Sequence, residues 1–150
     1  MEFKNIAHPD HAFFDFLPQD WKDELLPQWI NLKATAQVFV LEEHLQVVCM
    51  GILFYKALPN LSPLEKIVRK QFEDYLYIGY LYTLPQYRSR GLASKWLEAV
   101  KQYAPQKNFW LTVEDPNLVP FYTQNGFVPL ASPNLSGIET QEIILYCNCC

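Results

Sequence analysis

LPQYRSRGLASKWLEAVKQY, residues Leu84 to Tyr103, runs from the end of a strand into a helix through a single glycine. Pro85 has no N–H to give a sheet ladder and stops the strand before it. Beyond Gly91, the residues Leu92, Ala93, Trp96, Leu97, Val100 and Ala104 recur at helical spacing on one face, while Lys95, Glu98, Lys101 and Gln102 fall on the other. The first turn of such a helix carries amides with no intrahelical acceptor. Together with the helix dipole they form a site for an anion. Gly91 lets a ligand approach the backbone closely, and Arg88 and Arg90 add positive charge at the same place. The residues therefore read as a phosphate or diphosphate turn, against the plainer alternative of an ordinary connection with two solvated arginines. The Walker pattern GxxxxGK[ST] and the dinucleotide pattern GxGxxG are both missing from a chain with only five glycines.

Upstream, DYLYIGYLYTLP is a tyrosine-rich strand with Gly79 near its middle, where a bulge or a close approach is expected. Downstream, NFWLTVE is a second strand. The unit from Tyr75 to Val113 thus reads as strand, helix, parallel strand. NLVPFYTQNGF follows as a short helix, with Asn117 as its cap, Pro120 in the first turn and Gly126 as a left-handed C-terminal cap beside Phe127. EIILYC is a last strand.

The first half is punctuated by proline. HPDHAFFDFLP and QDWKDELLPQWINL read as two short helices, the second capped by Asp20 and kinked or ended by Pro27. ATAQVFVLEE and LQVVCMGILFY read as a hairpin with its turn at Glu42, Glu43 and His44, the second strand apolar enough to be covered on both faces. LSPLEKIVRKQF carries a capping box, with Ser62 as cap, Pro63 first in the helix and Glu65 three residues on. That predicts a helix from Pro63 to Phe72 with Leu64, Ile67, Val68 and Phe72 on its apolar face. Lys66, Arg69 and Lys70 lie off that face, either simply solvated or forming a wall of an acceptor site. The fold class expected is α/β, with a mixed central sheet and helices on both faces, in one domain over residues 1–150.

Composition bounds the function. The 150 residues carry a net charge of −4, which disfavours nucleic acid as the partner because phosphate contacts need a clustered basic face. No apolar run reaches the roughly 20 residues of a membrane span, so no membrane is expected, and a cytoplasmic location is the default. Cys49 sits in an apolar run and reads as a core residue. The terminal Cys147, Cys149 and Cys150 lack the spacing and number of ligands of a metal knuckle, so no metal is expected.

The two segments LYTLPQYRSRGLASKWL and FYTQNGF together resemble the GNAT superfamily of acyl-CoA-dependent N-acetyltransferases. The family signature [QR]-x-x-G-x-[GA] is met by Arg88, Gly91 and Ala93, between a strand and a helix. FYTQNGF is similar to the family's frequent FYeklGF ending, at the usual distance. The resemblance spans Leu76 to Leu130 and implies acetyl-CoA as the acyl donor, an amine on a small molecule or peptide as acceptor, and a possible homodimer. It implies that amides of Arg88, Ser89, Arg90, Gly91, Leu92 and Ala93 hold the diphosphate, with Asn117 also on the CoA side. It implies that the backbone of Leu81, Tyr82 and Thr83 pairs with the pantetheine arm and that Tyr122 is the general acid. For the base the alternatives are Glu73, Asp74 and Glu114. The chain departs from the family in carrying Asp115 where many members have Asn, and in placing a capped helix where a simple hairpin is usual. A non-catalytic acyl-CoA-binding regulatory domain is the competing reading, and an interaction module without a small ligand is a third.

Overall fold

The computed structural model describes residues 1–56, 61–130 and 142–148. Cys149, Cys150 and the side chain of Ile67, named above, lie outside the described residues. Among the described residues, seven strands form one mixed sheet in the order β1-β2-β3-β4-β5-β7-β6. These are β1 (Glu2–Ile6), β2 (Ala36–Glu43), β3 (Gln46–Phe54), β4 (Leu76–Thr83), β5 (Phe109–Val113), β6 (Val128–Pro129) and β7 (Ile143–Cys147). Only β4 and β5 are parallel; every other neighbouring pair is antiparallel. The helices are α1 (Gln19–Leu32), α2 (Pro63–Val68), α3 (Leu92–Tyr103) and α4 (Val119–Gln124).

The alternation of side chains along β2 divides the core. Phe39 and Leu41 join Trp96 and Leu97 of α3 and Tyr122 of α4, whereas Val38 and Val40 join Leu25 and Trp29 of α1. β3 feeds both clusters, with Cys49 and Leu53 on one side and Met50, Ile52 and Phe54 on the other. That is why its sequence is almost continuously apolar. α2 covers a third cluster, with Leu64, Val68 and Phe72 against Trp110 and Ile144. Helices therefore pack on both faces, as expected.

One strand was not expected from the sequence, and four local expectations are corrected. The N-terminal residues form an edge strand, β1, whose apolar content is small: Phe3 stacks on Phe39 at 5.2 Å, and Lys4 pairs with Glu42 at 3.0 Å. The hairpin turn is His44–Leu45, both with positive φ (52° and 63°), and Glu42 and Glu43 stay in the strand. A two-residue turn of this kind matches the twist of its strands. α1 starts at Gln19 with Pro18 as its cap residue, so Asp20 lies in the first turn instead of capping it. The same helix runs through Pro27, because Pro27 and Asp23, whose carbonyl loses its partner, are both exposed to water. α2 has the capping box, Ser62 Oγ accepting from the Glu65 amide at 3.1 Å and Glu65 Oε1 from the Ser62 amide at 3.0 Å. The helix ends at Val68, however. The amides of Gln71 and Phe72 turn to carbonyls three residues back, and Phe72 swings onto the Trp110 ring at 5.1 Å.

Candidate active site

The parallel pairing of β4 with β5 lasts two residue pairs, Leu76 with Phe109 and Tyr77 with Trp110. Beyond them β5 stays bonded to β7 as far as Val113, and β4 stays bonded to β3 as far as Thr83. Ile78 to Thr83 thus offer an unpaired backbone edge to the slot between the two strands. An extended chain can add to such an edge.

Where the strands part, β4 bulges. Ile52 faces Gly79 and Met50 faces Tyr82, so Tyr80 and Leu81 together oppose Gly51. Tyr80 takes a φ of 57°, the left-handed region that non-glycine residues rarely enter. Gly79 is needed for a different reason. A Cβ there would lie 2.9 Å from the Phe54 ring, so the close approach is made by a core side chain.

At its C-terminal end β4 passes through a short 3₁₀ turn, Pro85–Tyr87, into the connection before α3. Ser89 and Gly91 have φ values of 66° and 72°. Gly91 is the N-cap, and no side chain caps the helix start. Residues 88–91 are exposed, and among the described residues no acceptor outside the helix is bonded to the first-turn amides of α3. The arginines are held to the fold. Arg88 Nε donates to the Thr83 carbonyl at 3.0 Å and its guanidinium lies over Tyr82 at 5.2 Å. Arg90 lies over Tyr87 at 5.4 Å and approaches Glu43 at 3.9 Å. Among the expected turn residues, Leu92 turns its side chain into the core.

Tyr122 is fixed by the end of its own helix. The Phe127 amide donates to the Tyr122 carbonyl at 3.0 Å and the Gly126 amide to Thr123 at 3.2 Å. With Gly126 at φ 90° and the Phe127 ring 5.7 Å from Tyr122, this is the expected glycine-capped helix end. Tyr122 is 9% exposed. Burial, and then the Cys49 thiol nearby, push its phenol up to about 12, so it stays protonated at neutral pH. The same burial pushes Cys49 up to about 11. Cys49 faces Thr83 in the β3–β4 register, and Thr83 Oγ1 donates to Cys49 Sγ at 3.5 Å. Tyr122 therefore packs on the α3 face of the sheet, near the Thr83 end of β4. No buried side-chain oxygen lacks a partner among the described residues. The Tyr122 hydroxyl makes no hydrogen bond to them, so it must reach open space.

The carboxylates are distributed unevenly. Glu73 and Asp74 are exposed in the turn before β4, at the end of the strand away from Thr83. Glu114, at the end of β5, belongs to a group that sequence reading missed. Glu142, just before β7, accepts from Ser62 Oγ at 2.7 Å. Burial raises its carboxyl, and Glu65, Glu114 and Glu24 raise it further by repulsion. Glu24 also raises the Tyr80 phenol, after burial, and Glu65 does the same for Tyr77. The group comes from α1, α2, the residue after β5 and the residue before β7, and no local spacing in the sequence could have announced it. Asp115 caps the turn Pro116–Leu118, accepting from the Asn117 amide at 2.9 Å. Asn117 is therefore an exposed residue of that turn, and the cap residue of α4 is Leu118.

No curated protein matches the sequence significantly. A Klebsiella pneumoniae structure with a provisional acyl-CoA N-acyltransferase name is similar at a TM-score of 0.65 and 17% identity, over 97% of this chain and 95% of that one. A Bacillus subtilis acetyltransferase in complex with CoA gives 0.62 and 12%, over 97% and 96%. The PaiA N-acetyltransferase of Thermoplasma acidophilum, in complex with coenzyme A, gives 0.60 and 10%, over 98% and 99%. At these identities the likeness is one of fold. The sequence profile described as Acetyltransferase (GNAT) family matches residues 4–127, and the chain belongs to that family.

Proposed function

We propose that the protein transfers an acetyl group from acetyl-CoA to an amine, both substrates being bound at once. The observation that carries this reading is the slot: two residue pairs of parallel ladder, then a free strand edge leading to an uncapped helix start. In this reading the amides from Ser89 to Ala93 hold the diphosphate, the Arg88 amide being taken by the Pro85 carbonyl at 3.3 Å, and Asn117 lies on the same side. Leu81, Tyr82 and Thr83 present backbone to the pantetheine arm. The bulge brings an amide toward the thioester carbonyl, where negative charge develops. The neutral amine attacks the carbonyl carbon, the C–S bond breaks, and Tyr122 gives its proton to the departing thiolate. The ammonium proton goes to a carboxylate. Glu114 follows β5 and Glu142 precedes β7, and burial suits Glu142 to hold a proton; Glu73 and Asp74 precede β4, at the end away from Thr83. The roughly aligned groups supply orientation as much as proton transfer.

Acetyl-CoA at 100 times its Kd should stabilise the fold by about 2.7 kcal/mol, read as a rise in thermal midpoint. Absence of any shift at millimolar acetyl-CoA would remove this reading and that of a non-catalytic acyl-CoA sensor alike. Release of free thiol on adding amines, followed across an amine panel, separates the two. Gly91→Val tests the turn. Nothing lies within 4 Å of a Cβ at Gly91, so its cost is the positive φ, about 1–2 kcal/mol or somewhat more for a branched residue. CoA affinity should fall by a larger factor than this strain explains, because the side chain projects where the diphosphate must approach. A folded variant with unchanged CoA affinity would place the diphosphate elsewhere.

A further inference from the structure

A cavity of about 610 Å³ opens beside the other end of β4. It is bounded by Tyr55 and Lys56 after β3, by Lys66, Arg69 and Lys70 on and after α2, and by Tyr75 before β4. Its volume is that of a small-molecule site. The diphosphate turn lies beyond the far end of β4, roughly 25 Å along the strand at ~3.3 Å per residue.

The charge in this cavity is unbalanced. Four cations, Lys56, Lys66, Arg69 and Lys70, line it against one carboxylate, Glu73. That leaves three positive charges in a chain whose net charge is −4. None of the four cations makes an ion pair with a described residue. A solvated helix face would account for Lys66, Arg69 and Lys70 alone. Lys56 belongs to a different segment, the end of β3, and faces the same space. Cations brought together from two segments repel one another, and an anion between them relieves that repulsion.

The remaining wall is aromatic. Phe72 stacks on Trp110 at 5.1 Å with the planes 14° apart, and Tyr75 packs edge-on to Phe72 at 5.0 Å. The hydroxyls of Tyr55 and Tyr75 are bonded to Gln37 and Asn148, so these two phenols meet their polar partners outside the cavity wall. A simple inorganic anion would leave that wall against water, and an uncharged ring would leave the cations without a partner. We propose that the cavity binds a small ring-bearing anion, an aromatic carboxylate in class. The carboxylate lies among Lys56, Lys66, Arg69 and Lys70 and the ring lies on the aromatic wall. The assignment rests on the cavity's charge and aromatic lining, and its test needs no turnover.

The probe is 2-naphthoate, titrated by calorimetry at low salt, with uncharged 2-naphthalenemethanol as the matched ring. Saturable naphthoate binding with Kd below ~1 mM is expected, and at least tenfold weaker binding of the alcohol. The triple variant Lys66→Gln, Arg69→Gln, Lys70→Gln changes exposed residues only and should weaken naphthoate about tenfold. Lys56→Gln alone should weaken it less, and Glu73→Gln should tighten it. The control variant Arg88→Gln, Arg90→Gln should leave naphthoate binding unchanged. Equal affinity for the alcohol, equal affinity in the triple variant, or loss of binding in the Arg88 and Arg90 control would each overturn the proposal, as would no saturable binding at all. If the triple variant loses its thermal transition, the opposite responses of Lys56→Gln and Glu73→Gln decide the matter.

Discussion

Tyr122→Phe is expected to lower the kcat of acetyl transfer by about 10²–10⁴-fold while leaving acetyl-CoA affinity nearly unchanged. The substitution keeps the ring, which packs against Phe121 at 4.9 Å and Phe127 at 5.7 Å. The glycine-capped helix end that fixes the backbone does not involve the hydroxyl. Stability should therefore change little. What is removed is one proton donor whose hydroxyl is bonded to nothing else in the described structure. A thiolate is a weakly basic leaving group, so the lower half of the range is the expected one. The alkaline side of the pH profile follows from the same burial. The phenol's folded pKa, about 12, lies above the ordinary phenol value of about 10. Below pH 10 it is neutral in both folded and unfolded chains; above that, the unfolded chain ionises first and stability falls as pH rises toward 12. Ionisation of Tyr122 therefore contributes no descending limb to the rate below about pH 10, in contrast to a solvated phenol. Full kcat in the variant would mean that water protonates the thiolate or that chemistry does not limit turnover. Pre-steady-state thiol release distinguishes these.

What could be read from the sequence and what could not divide along one physical line. The capping box at Ser62 and Glu65, the end of β4 before Pro85, the glycine entry to α3 and the Gly126 cap are all written in residues within a few positions of one another. Local stereochemistry decides each of them, and each is found in the structure. The same locality put Tyr122 at the start of a helix following β5. The failures need distant partners. β1 is a strand because Phe3 finds Phe39 and Lys4 finds Glu42, neither of which its own few residues announce. Pro27 fails to end α1 because tertiary packing of Leu25, Trp29 and Leu32 outweighs one lost hydrogen bond on the wet side. The carboxylates around Glu142 converge from four separate segments of the chain. The bulge was legible in Gly79 as a weak point, but its place, at Tyr80 and Leu81, is set across the sheet by Gly51.

Gly51→Ala should accordingly be one of the costlier single-methyl changes in the chain. A Cβ on Gly51 would fall 2.4 Å from Cζ2, 2.6 Å from Cη2 and 2.8 Å from Cε2 of Trp96. Trp96 is completely buried, and its Nε1 donates to the Phe39 carbonyl at 3.0 Å. The ring cannot turn away without leaving a buried donor unmet, at about 1–3 kcal/mol. If it stays, α3 must lift from the sheet, and overpacking of this kind also costs about 1–3 kcal/mol. A loss of about 3 kcal/mol would lower the thermal midpoint by roughly 6–12 °C for a domain of this size. The second consequence is functional. Trp96 is on the first turns of the helix whose start is the uncapped Gly91, so a displaced α3 carries those amides with it. Acetyl-CoA affinity should fall although Gly51 touches no part of the proposed CoA site. Gly79→Ala is the comparison: its Cβ would meet one Phe54 ring atom at 2.9 Å, on the opposite face from α3, and should cost stability with less effect on CoA. A double-mutant cycle completes the test. Trp96→Leu removes the clashing ring, so Gly51→Ala should be nearly neutral in that background, with a coupling of about 1–3 kcal/mol. Additive losses would show that the strand, and not Trp96, is what tolerates only glycine at this position.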